Sequence, residues 1–354
     1  MKPLVTALID TYNHEPYIEQ TLVSVLEQGL SAEELEIVVV DDVSTDKTPA
    51  IIQKFLPRVK HVRKKNGGQA SAFNAGFAES HGEIVAILDG DDWWAKGKLA
   101  AVVGALETNP DVGAVTHGHY QFDQRTSRTK LCVPSARQTV SISNQESTVA
   151  AIRAWPFFLM GALTVRRNVL EWIMPLAEEM TFMADTAFQA AAMAKGTLVL
   201  PEALFYYRYH ADNLYAIDPG DLARLRRRYE MTELVCSKVY SRLVELGVPE
   251  DSVSLLLSGV WLDAKRSRLS KFGGSRFEAL EAELHAFRAT YRNPSLGYRL
   301  FKYVFVGGAS LLLPARRFYG IRNWYAERQL GRYRERLVRD GASESENPSS
   351  NSSA

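Results

Sequence analysis

The chain has 354 residues, 46% of them hydrophobic and 23% charged, with 42 basic side chains against 41 acidic ones for a formal charge of +1. Length argues for two modest domains, or one large domain with an appendage; disordered and collagen-like classes are excluded, and nothing in the charge balance suggests a nucleic-acid-coating protein. Two cysteines, Cys132 and Cys236, are too few for a disulfide framework or a thiolate zinc site, no run reaches the ~20 apolar residues of a membrane-spanning helix, and no signal peptide is evident, so a cytoplasmic setting is expected.

Residues 1–116 alternate strand and helix patterns. Leu4 to Ile9 is a short apolar run that predicts a buried strand, followed by Ile18, Leu22, Val25 and Leu26 at helical spacing. Ile37 to Val40 predicts a second strand, and Ile51, Ile52, Phe55 and Leu56 a second helix. A short strand near His61 and Val62, a glycine-marked loop and an alanine-rich helix ending near Gly82 come next. Ile84 to Leu88 and Val112 to Thr116 predict two further strands. Short apolar strands separated by amphipathic helices imply an α/β fold with a mixed, mainly parallel sheet covered by helices on both faces.

Residues 117–217 are less regular: a polar loop at Gln121–Lys130, an apolar segment at Trp155–Val165, a helix at Asp185–Lys195 and a strand at Leu198–Tyr209. After Asp218-Pro219-Gly220 the pattern becomes charged helix, so residues 218–340 are expected to form a helical C-terminal region, and residues 341–354 a disordered tail rich in Ser, Asn and Glu.

In open α/β sheets, ligands bind beyond the carboxyl ends of the strands. Here the first strand delivers Asp10-Thr11-Tyr12-Asn13, the second Asp41-Asp42-Val43-Ser44, and the fourth Asp89-Gly90-Asp91-Asp92-Trp93-Trp94. Any one strand end carries Asp or Asn for turns and caps. Up to six carboxylates from three separate strand ends on one rim repel one another, which is costly unless a cation or a hydrogen-bonding ligand sits there. Such an oxygen-rich set suits Mg²⁺ or Mn²⁺. No Walker loop and no Gly-x-Gly-x-x-Gly follows the first strand; Asn66-Gly67-Gly68 opens a helix and is either a plain turn or a diphosphate contact.

The ordered set of Asp10 to Glu15, Val39 to Asp46, Asn66-Gly67-Gly68 with Asn74-Ala75-Gly76, Gly82-Glu83 and Leu88 to Trp94 resembles the family 2 glycosyltransferases over residues 1 to about 215. The resemblance implies a GT-A fold and metal-dependent, inverting transfer from a nucleoside-diphosphate sugar, UDP-sugar by family habit, to a hydroxyl of a glycan or lipid-linked acceptor in surface polysaccharide synthesis. It places the nucleotide-sugar against Asp10, Thr11, Tyr12, Glu15, Asp41, Asp42, Asn66, Gly68, Asp89, Gly90 and Asp91, with Asp42 or its neighbour Asp41 accepting from the base. It gives Asp89, Asp91, Asp92 and His210 to the metal, and it makes Asp185, in Met183-Ala184-Asp185-Thr186, the catalytic base. The segment from Leu200 to Asn213 resembles the closing segment of many members.

Departures are specific. Asp10 stands where Pro is usual, Val43 where Gly is usual and Ala184 where Glu is usual, and an Arg common shortly after the Glu-Asp pair is missing, with Ala191 nearby. Competing readings are another metal-dependent nucleotide-sugar or phosphate-ester enzyme, and a non-catalytic scaffold that binds sugar nucleotides. From Arg292 to Arg336 ten basic residues face two acidic ones around the apolar run Tyr303–Leu313, which predicts peripheral contact with the inner face of a membrane.

Overall fold

The computed structural model describes residues 3–210, 213, 220–290 and 308–322, with side chains through 285 in the third segment. It divides into two units, one ending at Trp261 and one starting at Leu262, with the division inside a helix.

The first unit is built on one ten-stranded sheet. Its parallel half comprises β1 (Val5–Thr11), β2 (Leu35–Asp41), β3 (Lys60–Arg63) and β4 (Ile84–Asp89), in the order β3-β2-β1-β4. These are the apolar runs of the sequence, and β1, β2 and β4 are buried almost throughout because helices cover both sheet faces. The crossover helices are α1 (Ile18–Leu26), α2 (Thr48–Gln53) and α3 (Gly68–Ala78).

Past β4 the sheet continues through β9 (Thr164–Arg166), β6 (Ala114–Asp123), β10 (Thr197–Tyr209) and β5 (Trp93–Trp94), with β7 (Arg128–Cys132) on β6 and β8 (Gln138–Val140) on β10. β9 runs antiparallel to both β4 and β6, so the sheet is mixed. The polar loop expected at Gln121–Lys130 is the β6–β7 hairpin, whose strands pair from Asp123↔Arg128 to His119↔Cys132. It reads as loop because β7 is almost entirely exposed, so no alternation with buried residues marks it.

Alternation along each strand divides the core in two. Leu8, Val40, Val85 and Ile87 face α3 and α7 (Asp185–Ala194), where Phe73 and Phe188 meet edge to face at 5.1 Å. Val5, Ala7, Ile9, Ala86 and Leu88 face α1 and α4 (Lys98–Glu107) on the other side. Two further helices, α5 (Gln145–Ala154) and α6 (Arg167–Ile173), add Ala151, Val169 and Leu170 to the first of these cores.

The helical region begins at α8 (Leu222–Glu245) and α9 (Glu250–Phe272). Val235, Val239 and Leu243 of α8, with Val253, Leu256 and Leu257 of α9, join the core of the first unit. In the second unit the end of α9 is tied to α10 (Arg276–Thr290) by Lys265–Glu281, Arg266–Glu283 and Arg268–Glu278 ion pairs. Leu269, Ala279, Ala315, Phe318 and Tyr319 form its small core, against which α11 (Gly308–Leu312) sets Ala309. Most of the basic run from Arg292 to Arg336, and all of 341–354, lies outside the described residues. No described helix is long and apolar enough to cross a membrane.

Candidate active site

The ends of β1 and β4 come together first. Asp10 and Asp89 are register partners on adjacent parallel strands. Two residues beyond Leu8 and Ile87, both carboxyls follow onto the face covered by α3 and α7. The chain then turns through Gly90, whose backbone N–H donates to Asp10 O. A Cβ at Gly90 would stand 2.7 Å from Thr11 Oγ1 and 2.8 Å from His14 Nδ1, so the turn closes only over glycine. Thr21 on α1 fastens it from below, its hydroxyl contacting Gly90 O at 3.0 Å and Asp92 O at 2.7 Å.

This turn gathers Asp89, Asp91 and Asp92 so that one oxygen from each lies within 4.8 Å of the others. Their protonation differs. Burial and the neighbouring carboxylates push Asp89 and Asp92 well above the ordinary range. Burial also pushes Asp91 upward, but His14 and a hydrogen bond from His210 outweigh it and hold Asp91 below that range. His210 Nε2 lies 3.0 Å from Asp91 Oδ2, and His14 Nε2 lies 3.9 Å from the same oxygen. Asp10 is raised to about 7, by burial first and also by Asp91 and Asp185. A divalent ion placed among these carboxyls would offset their mutual repulsion and favour their ionised forms.

Arg208, near the end of β10, organises this loop without entering it. Its backbone N–H donates to Asp92 Oδ1, Nε to Asp91 O and Nη2 to Gln20 Oε1, each at 2.7 Å. The guanidinium lies 4.8 Å from the ring centre of Tyr17 and 4.4 Å from that of Trp93. Trp93 stacks in turn on Tyr206, at 4.7 Å and 4°. Trp93 is therefore a support of the acidic loop, and Trp94 is buried beneath it under Lys98.

Asp185 is the first residue of α7. Oδ2 accepts a bond from Gln189 Nε2 at 3.1 Å, while Oδ1 is buried with no hydrogen-bond partner. Burial raises this carboxyl to about 6, with its hydrogen bonds opposing. Its position is fixed from α3: Gln69 Oε1 accepts from Ala184 N at 2.9 Å, and Gln69 N donates to Thr181 O at 2.9 Å. Ala184, where the family carries Glu, is fully buried. Asp185 is near enough to Asp10 and Asp89 to raise both carboxyls.

On the β2 side, Asp42 is heavily engaged. Its carboxylate accepts from Lys64 Nζ at 2.8 Å, Gly67 N at 3.0 Å and Gly68 N at 2.8 Å, and its backbone oxygen accepts from Asn66 Nδ2. Asp42, Asn66 and Gly68 thus form one locked loop at the start of α3. Asp41 is fully buried on the other face, accepting from Ser44 N near His61 and Arg63. Thr11 bonds His14 at 3.2 Å, and Tyr12 stands 47% exposed at the rim. Glu15 is not brought to the cluster; it pairs with exposed Lys47 and accepts from Lys47 N. Sequence reasoning assigned no role to His14, Gln20, Arg208 or Gln189. Their partners lie on other elements, apart from the one-turn spacing of Gln189 from Asp185.

The family model described as Glycosyl transferase family 2 matches residues 6–171, the span that carries every acidic strand end. The chain belongs to this glycosyltransferase family. An uncharacterized glycosyltransferase of Nostoc sp. is 34% identical over 217 residues, covering 59% of this chain and 66% of that protein. The uncharacterized glycosyltransferase EpsJ of Bacillus subtilis is 27% identical over 244 residues, covering 65% and 69%. The chain thus spans about two thirds of these relatives' lengths. The structure of residues 1–349 of TarS from Staphylococcus aureus, in complex with UDP-GlcNAc, superposes with a TM-score of 0.62 at 18% identity, covering 92% of each chain. At that identity the likeness establishes the fold, which is GT-A.

Proposed function

We propose that this family 2 glycosyltransferase moves a sugar from a nucleoside-diphosphate donor, a UDP-sugar, to a hydroxyl of a glycan acceptor with inversion, aided by Mn²⁺ or Mg²⁺. The observation that carries the reading is a pair of carboxyl groups in different settings: Asp91, held below the ordinary range by His14 and His210 in the Asp89–Asp92 turn, and Asp185 at the head of α7, whose buried Oδ1 has no hydrogen-bond partner. TarS, whose name is poly(ribitol-phosphate) β-N-acetylglucosaminyltransferase, supports UDP as the nucleotide and a polymer as the acceptor class.

The residues present fit an oxygen-binding divalent ion, which Asp89, Asp91 and Asp92 would hold, with His210 joined to the set through Asp91. Such an ion would stabilise the charge that gathers on the departing diphosphate. The chain's own part is positional. Arg208 and Thr21 keep the acidic turn in place, and Tyr12 leaves the rim open beside the Asp42 loop for the base. Asp185 takes the proton from the attacking hydroxyl, a role suited to a carboxyl raised toward neutrality.

The test is transfer itself. Incubation with a panel of UDP-sugars, Mn²⁺ and glycan acceptors should release UDP and give a product whose anomeric configuration, read by NMR, is opposite to the donor's. A product of retained configuration would contradict the assignment of Asp185 as base.

A further inference from the structure

The proposed reaction gives the Asp10 carboxyl no definite partner. Where the family usually carries Pro at this place, this chain sets an acidic side chain at the end of the central parallel strand. Its side chain is hydrogen-bonded to that of Asp89, and one of its oxygens, Oδ1, is buried with no donor of its own. A buried acceptor left unmet is costly, so a ligand that supplies a donor there binds with advantage.

The strand order says which part of a ligand lies there. β2, β1 and β4 are neighbours in that sequence, so their carboxyl ends form a row. The β2 end carries Asp42 with the Asn66–Gly68 loop, and the β4 end carries Asp89 and Asp91. On the reading above, which this inference rests on, the base sits toward the first and the diphosphate at the second. The ribose joins base to diphosphate covalently, so it crosses the end of the strand between them. That strand is β1, and its last inward-facing residue is Asp10.

There Asp10 and Asp89 stand in register on adjacent strands. Neighbouring strands lie about 4.8 Å apart, a separation at which two carboxylates can each reach one hydroxyl of a vicinal diol. A diol donating to both would take the place of the hydrogen bond the two carboxyls now share and let both ionise. We propose that Asp10 is a specificity-determining residue: it accepts a hydrogen bond from one ribose hydroxyl while Asp89 takes the adjacent one, so the enzyme selects ribonucleotide over deoxyribonucleotide donors.

Calorimetry with Mn²⁺ tests this, using UDP, 2′-deoxy-UDP and 3′-deoxy-UDP against the wild type, Asp10→Ala and the near-isosteric Asp10→Asn. Loss of a hydrogen bond to a charged group corresponds to roughly 10- to 100-fold in affinity. The wild type should therefore bind at least one deoxy analogue that much more weakly than UDP. In Asp10→Ala the penalty should vanish, because UDP weakens to the level of that analogue while the analogue is unchanged; Asp10→Asn, which keeps one acceptor oxygen, should recover part of it. A general loss of fold would weaken all three ligands alike and leave the ratio standing. A penalty of equal size in Asp10→Ala, or none in the wild type, overturns the proposal. UDP failing to bind the wild type at all is a separate result: it overturns the nucleotide reading and the ribose assignment with it.

Discussion

Asp185 stands at the head of α7 with one oxygen held by Gln189 and the other unpartnered, in surroundings that lift its carboxyl to about 6. A base must be deprotonated to act, so kcat/KM should rise with pH through about 6 and level off above it. Asp185→Asn should leave donor affinity near normal while lowering transfer at least ~100-fold, the scale of general-base catalysis. Near-normal turnover in that variant would move the base elsewhere, and Glu202, on β10, would be tested next. The acidic turn was legible from sequence because strand ends in an α/β sheet converge on one rim, whatever the details of packing. The roles within it were not. Which aspartate keeps its charge depends on His14 and His210, which lie 77 and 119 residues from Asp91. Likewise, Asp42 looks in sequence like a free base-reading carboxylate, yet its oxygens meet donors from Lys64, Gly67 and Gly68.

The elements that position the site are α3 and the loop before α7, and a single glycine joins them. Gly68 has φ +79°, and a Cβ on it would stand 2.5 Å from Thr181 O. Alanine there meets both a left-handed backbone and a clash with main chain, so Gly68→Ala should destabilise the protein by about 1–3 kcal/mol. Because Gln69 next to it holds Ala184 N, the same change should depress turnover further than its loss of Tm explains. Unaltered stability and turnover in that variant would show that the two segments are not coupled through this contact. Of the elements themselves, β1, β2 and β4 announce themselves as apolar runs because both their faces are covered. The two-residue β5, the three-residue β8 and β9, and the exposed β7 carry too little pattern to be read. β6 is legible only over its buried start, since from Tyr120 onward its residues are half-exposed.

Over the whole molecule the acidic rim sets a pH dependence of stability. Asp10 and Asp185 have folded-state values raised to about 7 and about 6 from an ordinary 3.8. The stability they contribute is complete below about pH 4 and is lost as pH rises through 6 and 7; Asp91, shifted downward, acts in the opposite direction at lower pH. A divalent ion that neutralises the rim should reverse the loss, so the rise in Tm on adding Mn²⁺ should be larger at pH 8 than at pH 5. Equal shifts at both would mean that the ion binds somewhere else. The claim that joins residue, element and fold is that the Asp89–Asp92 turn holds a cation and, through it, a nucleoside diphosphate. Calorimetric titration of UDP into the protein, with Mn²⁺ and then with excess chelator, in the wild type and in Asp91→Asn, addresses it directly. Tight binding seen only for the wild type with Mn²⁺ is the predicted result; equal affinity in chelator, or in Asp91→Asn, would contradict it.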